Sequence, residues 1–130
     1  MFTLIQIKDA HTRVKTGADF PRYVQDLIKL GVVQYHTYVS DGHCRYTGRD
    51  NYEVISDAKY QRMAIAATGD TKKFKQYLGE HQQGKTDYFT FCRQAAETGV
   101  EKWIVDMEEM TCTYYYKGES KMLVETIPTF

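Results

Sequence analysis

Apolar residues at helical spacing predict two helices at the start of the chain. Thr3, with a glutamine three residues later, is typical of a capping box before the first helix, and Gly17 follows its last apolar position. Asp19 is the expected N-cap of the second helix, which carries Pro21 in its first turn and ends at Gly31. The apolar positions of the two helices are Leu4, Ile7, His11 and Val14, then Tyr23, Val24, Leu27 and Ile28.

Three stretches rich in Val, Tyr and Thr come next, and they predict strands at 32–40, 44–47 and 52–56. Asp41-Gly42 separates the first two and is a strong hairpin signal. The first half of the chain therefore follows an ααβββ order.

The second half follows the same order of elements. One helix begins at Asp70 or Thr71, and the next begins at Thr86 or Asp87 and ends at Gly99. The predicted strands that follow lie at about 101–106, 110–117 and 121–127.

A spacing of 68 residues relates the two halves. Over residues 19–46, five positions are identical to their counterparts and three exchange one aromatic residue for another. The pseudo-repeats span about 3–56 and 70–127. Positions shared by both copies, such as Cys44 and Cys112, are interpreted as architectural, whereas residues found in one copy only are freer to serve function.

Residues 57–68 connect the two copies, and within them Met63 to Ala66 could add a short strand. The connection lacks the Pro/Gly/Ser-rich composition of an interdomain linker, and each half alone would be marginally stable. We therefore expect one domain over 1–130. The expected fold is an α+β two-layer sandwich, with helices on one face of a mostly antiparallel sheet built from two ααβββ-like half repeats.

Charge and composition narrow the function classes. Seventeen basic residues balance seventeen acidic ones, which argues against a nucleic-acid-binding protein because phosphate contacts need a clustered basic surface. Three cysteines cannot all pair within one chain, and none lies in a metal or redox motif. The sequence shows neither a signal peptide nor a membrane span, so a cytoplasmic protein without cofactor or metal is expected.

Four segments of the chain resemble the YdfO-like family of small bacterial and prophage-encoded proteins. The most distinctive is His81-Gln82-Gln83-Gly84-Lys85-Thr86-Asp87-Tyr88, and the others are 3–11, 17–21 and 106–115. The resemblance implies an α+β two-layer fold of uncharacterised function. Members are sometimes labelled phage envelope proteins, and no catalytic residue of the family can be carried over.

His36, His43 and Cys44 form the first candidate constellation. A Cys/His pair or a partial metal site would need these side chains close together. The alternative is that Cys44 packs in the core, because its repeat counterpart is also a cysteine. We favour core packing for the cysteine and keep both histidines as candidate binding residues.

The segment from His81 to Tyr88 is the second candidate. It joins two helices and places Lys85 beside a helix N-terminus, where an anion is favoured. Residues 79–86 also match the glycine, lysine and threonine pattern of a phosphate loop, but a helix is predicted where that loop needs a buried strand. His81 and Lys85 are therefore candidates for anion or partner binding, against an ordinary helix connection.

Eleven tyrosines form the third feature, and several lie on predicted strands. Tyr115 must face opposite to its neighbours Tyr114 and Tyr116, so aromatic residues occupy both faces of the sheet. They either pack across strands or line a ligand groove or homodimer interface. Tyr115 is the candidate residue for the second interpretation.

Two function classes follow from these features. The preferred hypothesis is a non-enzymatic binding or protein-interaction module, with a homodimer as one form. The alternative is a small enzyme in which His36, His43 or His81 works with a carboxylate in a cleft. No residue is assigned a catalytic role from the sequence.

Overall fold

A computed structural model of the chain describes residues 1–118 and 120–128. They form four α-helices and six β-strands. The helices are α1 (Leu4–His11), α2 (Phe20–Leu30), α3 (Thr71–Gln82) and α4 (Tyr88–Glu97). The strands are β1 (Gln34–Tyr38), β2 (Cys44–Thr47), β3 (Glu53–Ile55), β4 (Val100–Asp106), β5 (Thr111–Tyr116) and β6 (Lys121–Thr126).

The strands form one antiparallel sheet in the order β3-β2-β1-β4-β5-β6. β1 and β4 pair at its centre, where Tyr35 lies opposite Val105 and Thr37 lies opposite Trp103. The predicted α+β class with a mostly antiparallel sheet is confirmed. The three strands of the first predicted copy form one half of this sheet, and the three strands of the second copy form the other half. The origin of the two halves as repeats stays a prediction.

The helices cover one face of the sheet. α2, α3 and α4 each contribute an aromatic ring that contacts a ring on that face, and α1 packs against α2. Such contacts bury large apolar surfaces at the layer boundary, which stabilises the two-layer arrangement. The contacts join Tyr23 to Tyr35 (6.3 Å between ring centroids), Phe74 to Tyr114 (4.9 Å) and Phe91 to Trp103 (5.6 Å).

The start of α1 is as predicted, whereas the start of α2 is not. Thr3 and Gln6 form the expected capping box, with each side chain bonded to the other residue's backbone amide. Asp19 does not cap α2 with its side chain. A 3₁₀ turn precedes that helix, and the Asp19 carboxylate instead accepts hydrogen bonds from the amides of Lys15 at 2.9 Å and Thr16 at 3.2 Å.

The connection between the copies is an irregular strap, so the short strand predicted at Met63 to Ala66 is wrong. Its backbone bonds go to loop and helix ends rather than to a neighbouring strand. The amide of Met63 donates to the Ser40 carbonyl, and that of Ala66 donates to the Ala96 carbonyl. The strap thus ties the end of the β1–β2 hairpin to the end of α4.

The two helix connections touch each other. A β-carbon on Gly17, which lies between α1 and α2, would stand 2.3 Å from the carbonyl oxygen of His81 at the end of α3. Gly84, which follows α3, approaches Thr16 in turn. Only glycine permits the backbone approach at position 17, so this residue sets the distance between the connections.

We therefore expect Gly17→Ala to destabilise the protein by about 1–3 kcal/mol, because backbone atoms would have to move to admit the methyl group. Gly79→Ala is the matched control, since Gly79 lies inside α3 and its β-carbon would meet nothing within 4 Å. It should stabilise by about 0.5–1 kcal/mol through helix propensity. Urea unfolding of both variants measures the difference, and equal effects would contradict the close approach.

Candidate functional site

A cavity of about 540 Å³ lies between the helices and the sheet. Its volume is within the range of small-molecule sites, about 300–1,000 Å³. Elements from both halves of the chain build its wall. The Phe, Tyr and Trp residues that line it are Phe20, Tyr23, Tyr35, Tyr46, Tyr88, Phe91, Trp103 and Tyr114.

The helix connections form the mouth of this cavity. Lys15 and Ala18 precede α2, and Gln82 and Asp87 lie at the ends of the connection between α3 and α4. All four are exposed and also line the cavity. The close approach of Gly17 to His81 therefore sets the position of the two connections that form the mouth of the cavity.

Buried phenol groups supply the polar character of the wall. Burial raises the pKa of Tyr35 and Tyr114 well above the ordinary value for tyrosine. Burial also raises the pKa of Tyr23 and Tyr46. These groups stay neutral at physiological pH, so they offer the cavity hydrogen-bond donors and acceptors without charge.

His81 is held rigidly at the wall. Its ring stacks on Phe91 with 4.3 Å between centroids, and its Nδ1 lies 3.1 Å from the carbonyl oxygen of Thr86. A ring nitrogen that faces a carbonyl oxygen must donate, which leaves Nε2 as the acceptor of the neutral ring. Burial lowers the pKa of His81, and the hydrogen bond to Thr86 only partly opposes this effect.

His11 is a second histidine at the cavity. Its ring makes edge contacts with Tyr23 at 5.2 Å and Tyr88 at 5.9 Å between centroids. Burial lowers the pKa of His11, and the positive charge of Lys59 lowers it further. In the sequence, His11 lies at the helical spacing of the apolar residues of α1, which predicts that it packs against the core. For this reason, the sequence does not identify His11 as a residue of the cavity wall.

Three candidate residues, His36, His43 and Tyr115, lie on the helix-free face. His43 stacks on Tyr38 at 4.5 Å, and the next residues across the sheet are Lys102 and Tyr115. Nζ of Lys102 lies 5.4 Å from the centroid of the Tyr115 ring. His36 stacks on Tyr38 from the other side along β1, at 6.2 Å. The fold therefore brings His36, His43 and Tyr115 to one face and separates them from His81.

The proposed Cys/His pairing is not formed. Successive residues of a strand point to opposite faces, so Cys44 lines the cavity while His43 lies on the helix-free face. Nδ1 of His43 instead lies 2.6 Å from Oδ1 of Asp41 in the adjoining turn. Within residues 1–118 and 120–128, no group of three or more His, Cys, Asp or Glu side chains could hold a metal ion.

The phosphate-loop pattern at 79–86 is not realised either. Gly79 and His81 lie inside α3, where backbone amides serve the helix rather than a phosphate. Asp87 caps α4 through a 2.7 Å hydrogen bond from the amide of Thr90. Lys85 is exposed on this connection and is not among the described residues that line the cavity.

Comparisons with known proteins assign no activity. The sequence profile of a family described as "Protein of unknown function (DUF1398)" matches residues 8–126. The chain is also similar to the uncharacterized protein YcgX of Escherichia coli (strain K12), with 19% identity over 115 residues, which cover 88% of this chain and 86% of that protein. The expectation of a small family of unknown function is confirmed, whereas the YdfO-like name and the phage label stay untested.

The described helices are too short or too polar to cross a lipid bilayer.

Acidification is expected to destabilise the protein. The pKa values of His11 and His81 are lowered in the folded state by burial, so the unfolded chain takes up more protons as the pH falls below about 6.5. Above that pH, both histidines are neutral in the folded and the unfolded chain, so they do not lower the free energy of unfolding. The free energy of unfolding decreases as the pH falls from about 6.5 to the lower pKa values of the folded state. Urea unfolding at pH 7.5 and pH 5.5 should show the decrease.

His81→Gln is the variant that isolates one of these groups. It removes one titrating side chain, so the loss of stability between pH 7.5 and pH 5.5 should be smaller than in the unsubstituted protein. A stability that is flat or increases on acidification would contradict the assigned direction of both pKa shifts.

Proposed function

Since the chain belongs to the DUF1398 family of proteins of unknown function, it inherits no assigned activity, and we propose that it is a small-molecule-binding protein. The observation that carries this proposal is the 540 Å³ cavity between its two layers. A binding module was also the hypothesis favoured by the sequence. The cavity directs that hypothesis toward a small ligand rather than a macromolecule.

The wall chemistry selects the class of ligand. Tyr35, Trp103 and Tyr114 present flat aromatic surfaces, which favour a flat and largely apolar molecule. The neutral phenol groups and Nε2 of His81 favour one or two hydrogen-bonding groups on that molecule. The proposed ligand class is therefore a planar, uncharged aromatic or conjugated compound with a hydroxyl or carbonyl group.

A small enzyme is the second candidate. His11 and His81 both line the cavity, and burial lowers the pKa of each, so both rings are neutral at pH 7 and carry one unprotonated nitrogen. Asp87, the carboxylate whose charge acts on His81, is engaged as the cap of α4. Mass spectrometry of a recovered ligand distinguishes the two candidates, because an enzyme returns a changed molecule and a binding protein returns the same one.

A homodimer through the helix-free face remains part of the proposal, as does a cytoplasmic location. Ile55 and Val124 lie at opposite ends of one cross-strand row on this face and are 53% and 52% exposed. A second copy turned over about the strand direction would place these two residues opposite each other. An isologous contact of this kind is the usual form of a homodimer.

Tyr115→Asp tests the homodimer. A charge on the contacting face should reduce the mass measured by light scattering from two chains to one. Tyr77→Asp on α3 is the matched control, because a lysine also lies over the ring of Tyr77, with Nζ of Lys73 at 5.7 Å. A monomer in the unsubstituted protein would remove the homodimer and leave the cavity proposal intact.

Ligand binding is tested with 2-naphthol, a planar probe with one hydroxyl group. Trp103 is the only tryptophan of the chain and lines the cavity, so its indole N–H resonance reports on occupancy. We expect a saturable shift of this resonance with a Kd of about 0.1 mM, which is typical of a ligand this small.

Ala18→Phe should weaken this binding at least about tenfold, because the new ring would obstruct the mouth of the cavity. Ala67→Phe is the matched control, since Ala67 is exposed and does not line the cavity. The absence of a saturable shift in the unsubstituted protein, or equal binding by both variants, would contradict the proposed site.

A further inference from the structure

One of the three buried cysteines has a different environment from the others. Sγ of Cys44 lies 3.3 Å from Nζ of Lys59, which donates to it, and 3.3 Å from the hydroxyl oxygen of Thr37. All three residues line the cavity. A thiol beside an ammonium group and a hydroxyl is stabilised as the thiolate, the nucleophilic form of cysteine.

The fold holds this group of atoms in place through the strap that follows β3. The Lys59 amide donates to the Asp41 carbonyl at 2.8 Å, and Nζ of Lys59 donates to the Gly42 carbonyl at 3.0 Å. The amide of Cys44 donates to Oγ of Ser56 at 2.8 Å. The lysine is therefore fixed over the hairpin turn, with its ammonium group directed at the sulfur.

Among the described contacts, no positively charged group lies at hydrogen-bond distance from the sulfur of Cys92 or of Cys112. Burial raises the pKa of Cys92 to about 11 and that of Cys112 to about 12. Cys112 lies opposite Glu125 in the sheet, and the charge of that carboxylate adds to the increase. Cys44 and Cys112 occupy matching positions of the predicted repeat, but a cation faces one and a carboxylate faces the other.

We propose that Cys44 is a nucleophilic modification site for electrophilic conjugated carbonyl compounds that enter the cavity. Its sulfur is soft and polarisable, and the flat aromatic walls suit a planar α,β-unsaturated carbonyl compound. The proposal shares with the proposed function only the requirement that small molecules reach the cavity.

The reaction is an addition without a change of oxidation state. Cys44 loses its thiol proton to water, and Lys59 stabilises the thiolate. A bond forms between Sγ and the β-carbon of the compound while the carbon–carbon π pair moves toward the carbonyl oxygen. Water then returns a proton to the α-carbon, so the product is a thioether.

The titratable groups that interact with Cys44 lie on α2, α4, β1, β2 and the strap, and they differ in charge. Lys59 is the charged group among them, because burial raises the pKa values of the tyrosines and of Cys92 and keeps these groups neutral. The neutral neighbours are Tyr23 of α2, Tyr35 of β1, Tyr46 of β2, Tyr60 of the strap, and Tyr88 and Cys92 of α4.

Alkylation of the folded chain by iodoacetamide, followed by peptide mass spectrometry, tests the thiol. This reagent is small enough to enter whether or not 2-naphthol binds, so failure here is distinguishable from failure of the proposed function. At pH 7, Cys44 should react at least about tenfold faster than Cys92 or Cys112. Cyclohexenone, a conjugated ketone with a flat enone group, should then add one equivalent of its mass at Cys44.

Lys59→Met should lower the rate at Cys44 about tenfold at pH 7, because the thiolate loses its ammonium partner. Lys59→Arg should restore most of the rate. Lys72→Met on the exposed side of α3 is the control, and circular dichroism verifies that each variant is folded. Equal rates at the three cysteines, or an unchanged rate at Cys44 in Lys59→Met, would overturn the proposal.

Discussion

The antiparallel pairing of β1 with β4 is the interaction on which the rest of the structure depends. Each half contributes a three-stranded sheet with an unpaired edge, and a half of this size would bury too little surface to be stable alone. Pairing these edges satisfies their backbone groups and forms one six-stranded sheet. It also brings the two helix pairs side by side, so that the cavity and its mouth are formed at the join.

The join explains why the candidate site is composite. Tyr35 from β1 and Trp103 from β4 line the same space, and the two helix connections meet above it at Gly17 and His81. The aromatic rings contact one another in edge-on or tilted arrangements, at centroid distances such as 5.9 Å between Trp103 and Tyr114. Large rings that pack in this way define a cavity wall while they stabilise the boundary between the layers.

Local features of the fold could be predicted from the sequence because neighbouring residues determine them. The capping box at Thr3 and the glycine end of α2 at Gly31 follow from hydrogen bonding and backbone conformation within a few residues. Asp19 shows the limit of this reasoning, because its carboxylate could accept from the first amides of α2 or from the amides that precede the 3₁₀ turn. In the structure it accepts from the amides of Lys15 and Thr16. The strap was misjudged for a similar reason, since its partners are loop and helix ends distant in sequence.

The candidate site depends on contacts between distant parts of the chain, and the sequence therefore indicated only parts of it. His81 was found through the unusual composition of its segment. Lys59 carries no local signal, because its contact with Cys44 spans 15 residues and exists only when the strap folds over the hairpin. Comparing the two copies correctly marked Cys44 and Cys112 as buried, but it hid the opposite charges that face them.

We propose that the cavity enclosed by the two halves receives a planar ligand. The most direct measurement is a crystal structure of the chain grown with 2-naphthol. We expect electron density for the probe between the sheet and the helices, in contact with Trp103 and below the two helix connections. A probe bound only on the outer surface, with the aromatic side chains packed together across the cavity, would contradict it.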